Sequence, residues 1–203
     1  MNLWLARHAQ PLLEPGICYG ATDVAADPQL TQQAAATLAQ TLPLRVQVFS
    51  SPLQRCQQLA QCLQVLRPDL NVQTDARLAE MDFGRWEGRR WDAIAAAEMA
   101  QWTADFGHWR VGGGESVQQL MDRVASCWDE LLTFSKGGAG AEAVKPDCPG
   151  VCWITHAGVM RSVALLSQGI RAPSHANQWP KSVLQFGEIQ SLPVGVPVST
   201  DLG

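Results

Sequence analysis

Leu3-Trp-Leu-Ala-Arg-His8 is the stretch that decides the fold, because a short apolar run predicts a buried strand and this one ends in an arginine and a histidine. A second apolar run, Val151-Cys-Trp-Ile-Thr155, is followed directly by His156. A third run, Val46-Gln-Val-Phe-Ser50, leads shortly to Arg55. Three predicted strands therefore end next to basic or imidazole side chains.

We expect these strand ends to meet, because ligands of open α/β sheets lie outside the carboxyl ends of the strands. The side chains brought together would be Arg7, His8, Arg55 and His156. Groups that carry positive charge at such short range repel one another unless an anion neutralises them. The sequence therefore predicts a site for a phosphate-like group, with a histidine close enough to react with it.

Helical patterns alternate with the strands along the chain. Apolar spacing and capping residues predict helices over residues 30–42, 51–66, 91–104, 116–131 and 158–168, and further strands at 71–74 and 185–190. Two of these helices begin with the spacing of a capping box, Ser51 with Gln54 and Ser116 with Gln119. The alternation predicts an α/β fold, a three-layer α/β/α sandwich with a mostly parallel central sheet.

The length and composition predict one globular domain over residues 1–203, with a flexible, glycine-containing connection at about residues 135–150. A net charge of -4 argues against a basic field that would attract nucleic acid. The sequence shows no apolar stretch long enough to span a membrane and no secretory signal pattern, so we expect a cytoplasmic protein that does not bind membranes. Its six cysteines form no Cys-x-x-Cys pair, and we expect neither a metal site nor disulfides.

A polar segment in the middle of the chain adds an acidic candidate. Leu78-Ala-Glu80-Met-Asp-Phe-Gly-Arg-Trp-Glu87-Gly88 contains two glutamates. Glu87 is interpreted as a capping or dipole partner rather than as a catalytic acid. The nearby Arg85, Arg89 and Arg90 are interpreted as a solvated face rather than a nucleic-acid patch, because the chain is acidic overall.

Four motifs in one order carry a resemblance to a known family. They are Arg7-His-Ala9, Ser50-Ser-Pro-Leu-Gln-Arg55, the Leu78–Gly88 segment and Thr155-His-Ala-Gly-Val159. Together they resemble the histidine phosphatase superfamily, also called the phosphoglycerate mutase-like family, from residue 3 to about residue 190. The resemblance implies a phosphoglycerate mutase-like fold and an enzyme that needs no cofactor.

The resemblance also implies a role for each matching residue. His8 corresponds to the nucleophile that becomes a phosphohistidine, which requires an unprotonated ring nitrogen. Arg7, Arg55 and His156 would surround the phosphoryl oxygens, where charge stabilisation supplies most of the catalysis. Glu80 matches the proton donor of the family. The catalytic set implied is thus Arg7, His8, Arg55, Glu80 and His156, with a small phosphorylated metabolite as substrate.

Two positions depart from the family pattern. Ala9 stands where a glycine is usual, which requires a negative φ there. Glu14 stands where many members carry an asparagine that helps hold the phosphate, so an inward-facing Glu14 would repel the substrate.

Several stretches, among them Cys18-Tyr-Gly-Ala-Thr-Asp23, are similar to the α-ribazole-5'-phosphate phosphatases of cobalamin biosynthesis. Two alternative functions stay open, a phosphoglycerate mutase-type phosphotransferase and a non-catalytic member of the family that binds phosphorylated ligands. Whether the chain forms a homodimer is also left open.

Overall fold

The structure, a computed structural model, describes residues 1–135 and 148–195. Its strands are β1 (Asn2–Arg7), β2 (Gln47–Ser50), β3 (Val72–Thr74), β4 (Gly150–Thr155) and β5 (Ile189–Pro193). Its α-helices are α1 (Pro28–Thr41), α2 (Gln54–Leu66), α3 (Ala96–Ala104), α4 (Val117–Ser135) and α5 (Ala157–Ser167). The strands form one sheet in the order β3-β2-β4-β1-β5.

Pairing within the sheet is parallel except at one edge. β1 and β2 both run parallel to β4, which lies between them, and β3 runs parallel to β2. Only β5, which pairs with β1, is antiparallel among the described strands. The expected three-layer α/β/α sandwich with a mostly parallel sheet is confirmed.

Alternating side chains of the central strands build two separate cores. Leu3 and Leu5 of β1 face one side, where they join a cluster with buried residues of α4 and α5. Trp4 and Ala6 face the other side and pack with buried residues of α1 and α2. Since both faces of β1 are covered, its sequence is a continuous apolar run rather than an alternating one. This double burial holds the carboxyl end of β1 at the centre of the sheet.

The two predicted capping boxes have different outcomes. At α4 the prediction is confirmed, because the Ser116 amide donates to Gln119 Oε1 at 2.9 Å and the Gln119 amide donates to Ser116 Oγ at 3.2 Å. The prediction at Ser51 and Gln54 is wrong, since α2 begins later, with Leu53 as its N-cap.

The amide of Gln54 donates instead to Asp23 Oδ1 at 2.6 Å, and the Gln54 side chain donates to the Asp23 carbonyl at 2.8 Å. Asp23, in the loop after β1, therefore caps α2. The Ser51 hydroxyl is not used as the cap and is available to a residue of another segment.

Other boundaries also differ from the sequence predictions. The edge strand predicted at 185–190 runs over Ile189–Pro193 instead, because the chain just before it turns over the carboxyl end of β1. The helix predicted over 91–104 is divided into a 3-10 turn at Trp91–Ala93 and the helix α3. Most of the flexible connection predicted at about 135–150 lies outside the described residues. No described helix combines the length and the apolar character needed to cross a membrane.

Candidate active site

The pairing of β1 with β4 places two histidines side by side. Arg7 and Thr155, the last residues of these strands, are register partners. His8 and His156 follow them, and the His8 amide donates to the Thr155 carbonyl at 3.3 Å. The two imidazole rings are 5.0 Å apart between centroids, and both side chains are buried.

The imidazole of His8 is held in one tautomer. Nδ1 lies 2.7 Å from the Ala9 carbonyl oxygen, which can only accept, so Nδ1 carries the proton and Nε2 keeps its lone pair. Burial, together with the positive charge of Arg55, lowers the pKa of His8 from 6.5 to about 3, although the bond to Ala9 opposes the shift. His8 is therefore a neutral imidazole with an unprotonated Nε2 at neutral pH.

Both ring nitrogens of His156 are engaged within the protein. Arg55 Nε donates to His156 Nδ1 at 3.3 Å, and His156 Nε2 then donates to Ser51 Oγ at 2.7 Å. Cys56 Sγ lies 3.4 Å from the same Nε2. Burial lowers the pKa of His156 well below 6.5, and the positive charges nearby lower it further. The two histidines are therefore neutral, and the positive charge of the site resides on its arginines.

Arg55 lies in the first turn of α2 and is completely buried. Besides its bond to His156, its guanidinium donates to the Thr22 carbonyl at 2.9 Å and to the Gly20 carbonyl at 2.6 Å. These carbonyls belong to the loop after β1, so the loop orients the guanidinium. The ring of Tyr19, in the same loop, lies 5.3 Å from Arg55 Cζ.

Glu87 holds the other side of this loop. Its carboxylate accepts hydrogen bonds from the amides of Ala21 and Thr22, at 2.9 and 2.6 Å, and from the Thr22 hydroxyl. It also accepts from the Phe83 amide at 2.9 Å. Although burial opposes the shift, these bonds lower the pKa of Glu87. Glu87 thus acts as a structural acceptor for the loop, in keeping with the interpretation that it is not the acid.

Arg7 lies at the end of β1 with its guanidinium partly satisfied. Nη1 donates to the Leu184 carbonyl at 2.7 Å, and the Phe186 ring centroid lies 4.0 Å from Cζ. Nε is buried and has no hydrogen-bond partner among the described residues. Burial lowers the pKa of Arg7, while Tyr19 and Glu80 oppose the shift. Buried donors without a partner are uncommon, and this one is available to a ligand at the site.

Glu80 reaches the site from the segment that follows β3. Its Oε2 accepts from the Gly158 amide at 3.0 Å, and its Oε1 accepts from the Met81 amide at 2.9 Å. Arg123 holds the backbone at this point by donating to the carbonyls of Ala79 and Glu80, at 2.6 and 3.1 Å. The Glu80 carboxylate therefore contacts the first turn of α5, the helix that follows His156.

All five side chains predicted from the sequence thus lie around the carboxyl ends of β1 and β4. Two aromatic residues of the site were not predicted, Tyr19 and Phe186. Tyr19 is the only tyrosine of the chain, which is a weak signal, whereas Phe186 fell in a predicted strand. The Phe186 ring lies 5.5 Å from the His8 ring, and both aromatic side chains are half-buried.

The two departures from the family pattern have structural explanations. Among the described residues only Arg45 is a non-glycine with positive φ, so Ala9 meets the condition for replacing a glycine. Glu14 is exposed, so its carboxylate does not enter the buried site.

The arginines near Glu87 lie on the surface. Arg85 pairs with Glu98 and Arg90 pairs with Asp92, which agrees with the interpretation of this segment as a solvated face. The described residues contain no group of three or more potential metal ligands.

Comparison with known proteins identifies the class. Residues 3–181 match the model of the histidine phosphatase superfamily (branch 1). The chain belongs to this superfamily. No curated protein sequence matches it.

Solved structures agree with this assignment. The native mycobacterial glucosyl-3-phosphoglycerate phosphatase is 26% identical, with a TM-score of 0.73 over 94% of this chain and 88% of its own. Its complex with inorganic phosphate, also at 26% identity, has a TM-score of 0.72 over 95% and 89%. TTHB049 from Thermus thermophilus, at 22% identity and a TM-score of 0.63 over 95% and 93%, shares the fold. The protein is a phosphatase of the histidine phosphatase superfamily.

The lowered pKa of His8 predicts an acid-sensitive fold. Between pH 6.5 and about 3 the unfolded chain binds a proton at this position and the folded chain does not, so stability falls as the pH falls through this window. In phosphate-free buffer, wild type should lose up to about 1.4 kcal/mol per pH unit more than His8→Asn between pH 6 and 4.5. Urea unfolding at several pH values measures this.

The exposed His108 provides the control, and His108→Asn should follow wild type. Equal pH slopes for wild type and His8→Asn would contradict a neutral, buried His8.

Proposed function

We propose that the chain is a metal-independent phosphomonoesterase that acts through a phosphohistidine at His8. The observation that carries this proposal is the state of His8, neutral and with Nδ1–H bound to the Ala9 carbonyl, which leaves Nε2 free to attack. A nucleophile prepared in this way needs no separate base to remove a proton. Arg7 and Arg55 supply positive charge close by, a function that metal ions serve in other phosphatases.

The first step transfers the phosphoryl group to the enzyme. Nε2 of His8 attacks phosphorus, a P–N bond forms, and the P–O bond to the leaving group breaks with its electron pair on oxygen. Glu80, which enters this step in its protonated form, gives its proton to that oxygen. In the second step Glu80 takes a proton from water while the water oxygen attacks phosphorus, and the electron pair of the P–N bond returns to Nε2.

Arg7, Arg55 and His156 are proposed to bind the phosphoryl oxygens. The buried Nε of Arg7, which has no partner among the described residues, supports this role, because a phosphoryl oxygen would satisfy it. His156 can donate to a phosphoryl oxygen only if Nε2 gives up its bond to Ser51, which an anion would favour over a neutral hydroxyl.

For the substrate we propose α-ribazole 5'-phosphate, a role in cobalamin biosynthesis and a cytoplasmic location. The resemblance of the Cys18–Asp23 loop to enzymes of this class supports the proposal. Tyr19 of this loop and Phe186 stack on the two phosphate-binding arginines, and such half-buried rings suit a leaving group that carries a flat aromatic base. The phosphatases of similar structure favour a second candidate, a phosphorylated sugar acid such as glucosyl-3-phosphoglycerate.

A panel of phosphate esters tests this proposal. Phosphate release would be measured from α-ribazole 5'-phosphate, glucosyl-3-phosphoglycerate, 3-phosphoglycerate and p-nitrophenyl phosphate, each with and without EDTA. We expect the highest kcat/KM for α-ribazole 5'-phosphate and no effect of EDTA. Loss of activity in EDTA would overturn the metal-independent mechanism. Transfer of phosphate to an organic acceptor instead of water would indicate a mutase, and binding without release a non-catalytic member.

His8→Ala should abolish turnover of every substrate in the panel, because among the described residues no other unprotonated imidazole nitrogen is free at the site. Phosphate release under single- and multiple-turnover conditions measures the loss. His108→Ala, at an exposed histidine, is the control and should keep the wild-type rate. A His8→Ala enzyme with a tenth of the wild-type rate would remove His8 as the nucleophile.

Glu80→Gln should slow the best alkyl phosphate of the panel at least tenfold more than p-nitrophenyl phosphate, since p-nitrophenolate leaves without protonation. The ratio of the two kcat/KM values is the measurement. Glu98→Gln, which breaks a surface ion pair with Arg85, should leave the ratio unchanged. If Glu80→Gln slows both substrates equally, Glu80 does not protonate the leaving group.

A further inference from the structure

Gly158, the second residue of α5, touches the carboxylate of Glu80. Its amide donates to Glu80 Oε2 at 3.0 Å, while the other oxygen accepts from the Met81 amide at 2.9 Å. The carboxylate is therefore held between two backbone N–H groups, one from its own chain segment and one from the start of a helix that is distant in sequence. These contacts fix both the position and the plane of the carboxylate.

A side chain at position 158 would occupy the space that the carboxylate needs. A Cβ built there would lie 2.1 Å from Glu80 Oε1 and 3.2 Å from Glu80 Cδ. The next nearest atom, Leu120 Cδ2, would also be at 3.2 Å, but it is the tip of a flexible side chain. The principal conflict is therefore with Glu80, whose two oxygens are already bound.

Backbone conformation gives no reason for a glycine at this position. Gly158 lies within a helix and is not among the glycines with positive φ. Alanine is favoured over glycine inside helices, so the glycine weakens α5 locally. Its effect is to let the Glu80 carboxylate approach the amide of α5.

We propose that Gly158 is a positioning residue, whose missing side chain admits the Glu80 carboxylate to the first turn of α5 and so aims it at the leaving group. This inference rests on the proposed role of Glu80 as the proton donor. In the segment Thr155-His-Ala-Gly158 of this chain, the histidine then serves the phosphoryl group and the glycine serves the acid.

A kinetic experiment tests the positioning role. Gly158→Ala should lower kcat/KM for the best alkyl phosphate at least tenfold while p-nitrophenyl phosphate loses less than threefold, because only the former needs the proton of Glu80. Ser162→Ala is the matched control. It removes a buried hydroxyl that donates to the Gly158 carbonyl at 3.0 Å, so it perturbs α5 without a methyl against Glu80. Its leaving-group ratio should equal that of wild type.

A stability cycle tests the contact independently of activity. Gly158→Ala should lower the Tm in the wild-type background but leave it unchanged or raise it in Glu80→Ala, where the carboxylate is gone and alanine favours the helix. An equal loss of Tm in both backgrounds would assign the conflict to Leu120 and overturn the inference. If Gly158→Ala does not fold alone, folding of the Glu80→Ala/Gly158→Ala double variant supports the inference, and its failure to fold overturns it.

The two proposals fail in different ways. If Glu80→Gln slows both substrates equally, the proposed acid is wrong, whatever Gly158→Ala does. If Glu80→Gln shows the expected selectivity and Gly158→Ala does not, the acid stands and the positioning role of Gly158 is overturned.

Discussion

The pairing of β1 with β4 is the constraint on which the site depends. These two parallel strands end at the same level, with Arg7 opposite Thr155, so the residues that follow them are necessarily neighbours. Both strands are covered on both faces by helices, which leaves their carboxyl ends little freedom. The 5.0 Å separation of the two imidazole rings is a direct result of this register.

Burial determines the charge state of the site. Removing the two imidazoles from water disfavours their protonated forms, and the neighbouring arginines disfavour them further. The sequence suggests a cluster of four groups that can carry positive charge. In the structure, these groups are two charged arginines and two neutral histidines. This state suits an attack on phosphorus, because the nucleophile keeps its lone pair and the anion still meets positive charge.

Residues outside the proposed chemistry hold the reacting groups in place. The loop after β1 accepts from the Arg55 guanidinium, and it is fixed in turn by Glu87 and by the bond from the Gln54 amide to Asp23. Arg123 fixes the backbone at Glu80. Each of these partners is distant in sequence from the group it holds, so each depends on the whole fold being formed.

The sequence by itself determined the α/β class and the positions of the principal strands and helices. It also predicted the five polar side chains that the structure brings to the carboxyl ends of β1 and β4, although Glu80 was predicted only through the family resemblance. Apolar runs and the residues that directly follow them are local properties, so a strand that ends in a histidine can be recognised without coordinates. The Ser116 capping box was predictable for the same reason, since both of its partners lie within one helical turn.

Only the tertiary structure decided the contacts between segments that are far apart along the chain. Asp23 rather than Ser51 caps α2, Phe186 turns over Arg7 instead of continuing an edge strand, and Gly158 makes room for Glu80. The tautomer and the neutral state of His8 were likewise decided only by the tertiary structure. Charge state depends on burial and on neighbours in space, and neither is encoded in the spacing of residues along a chain.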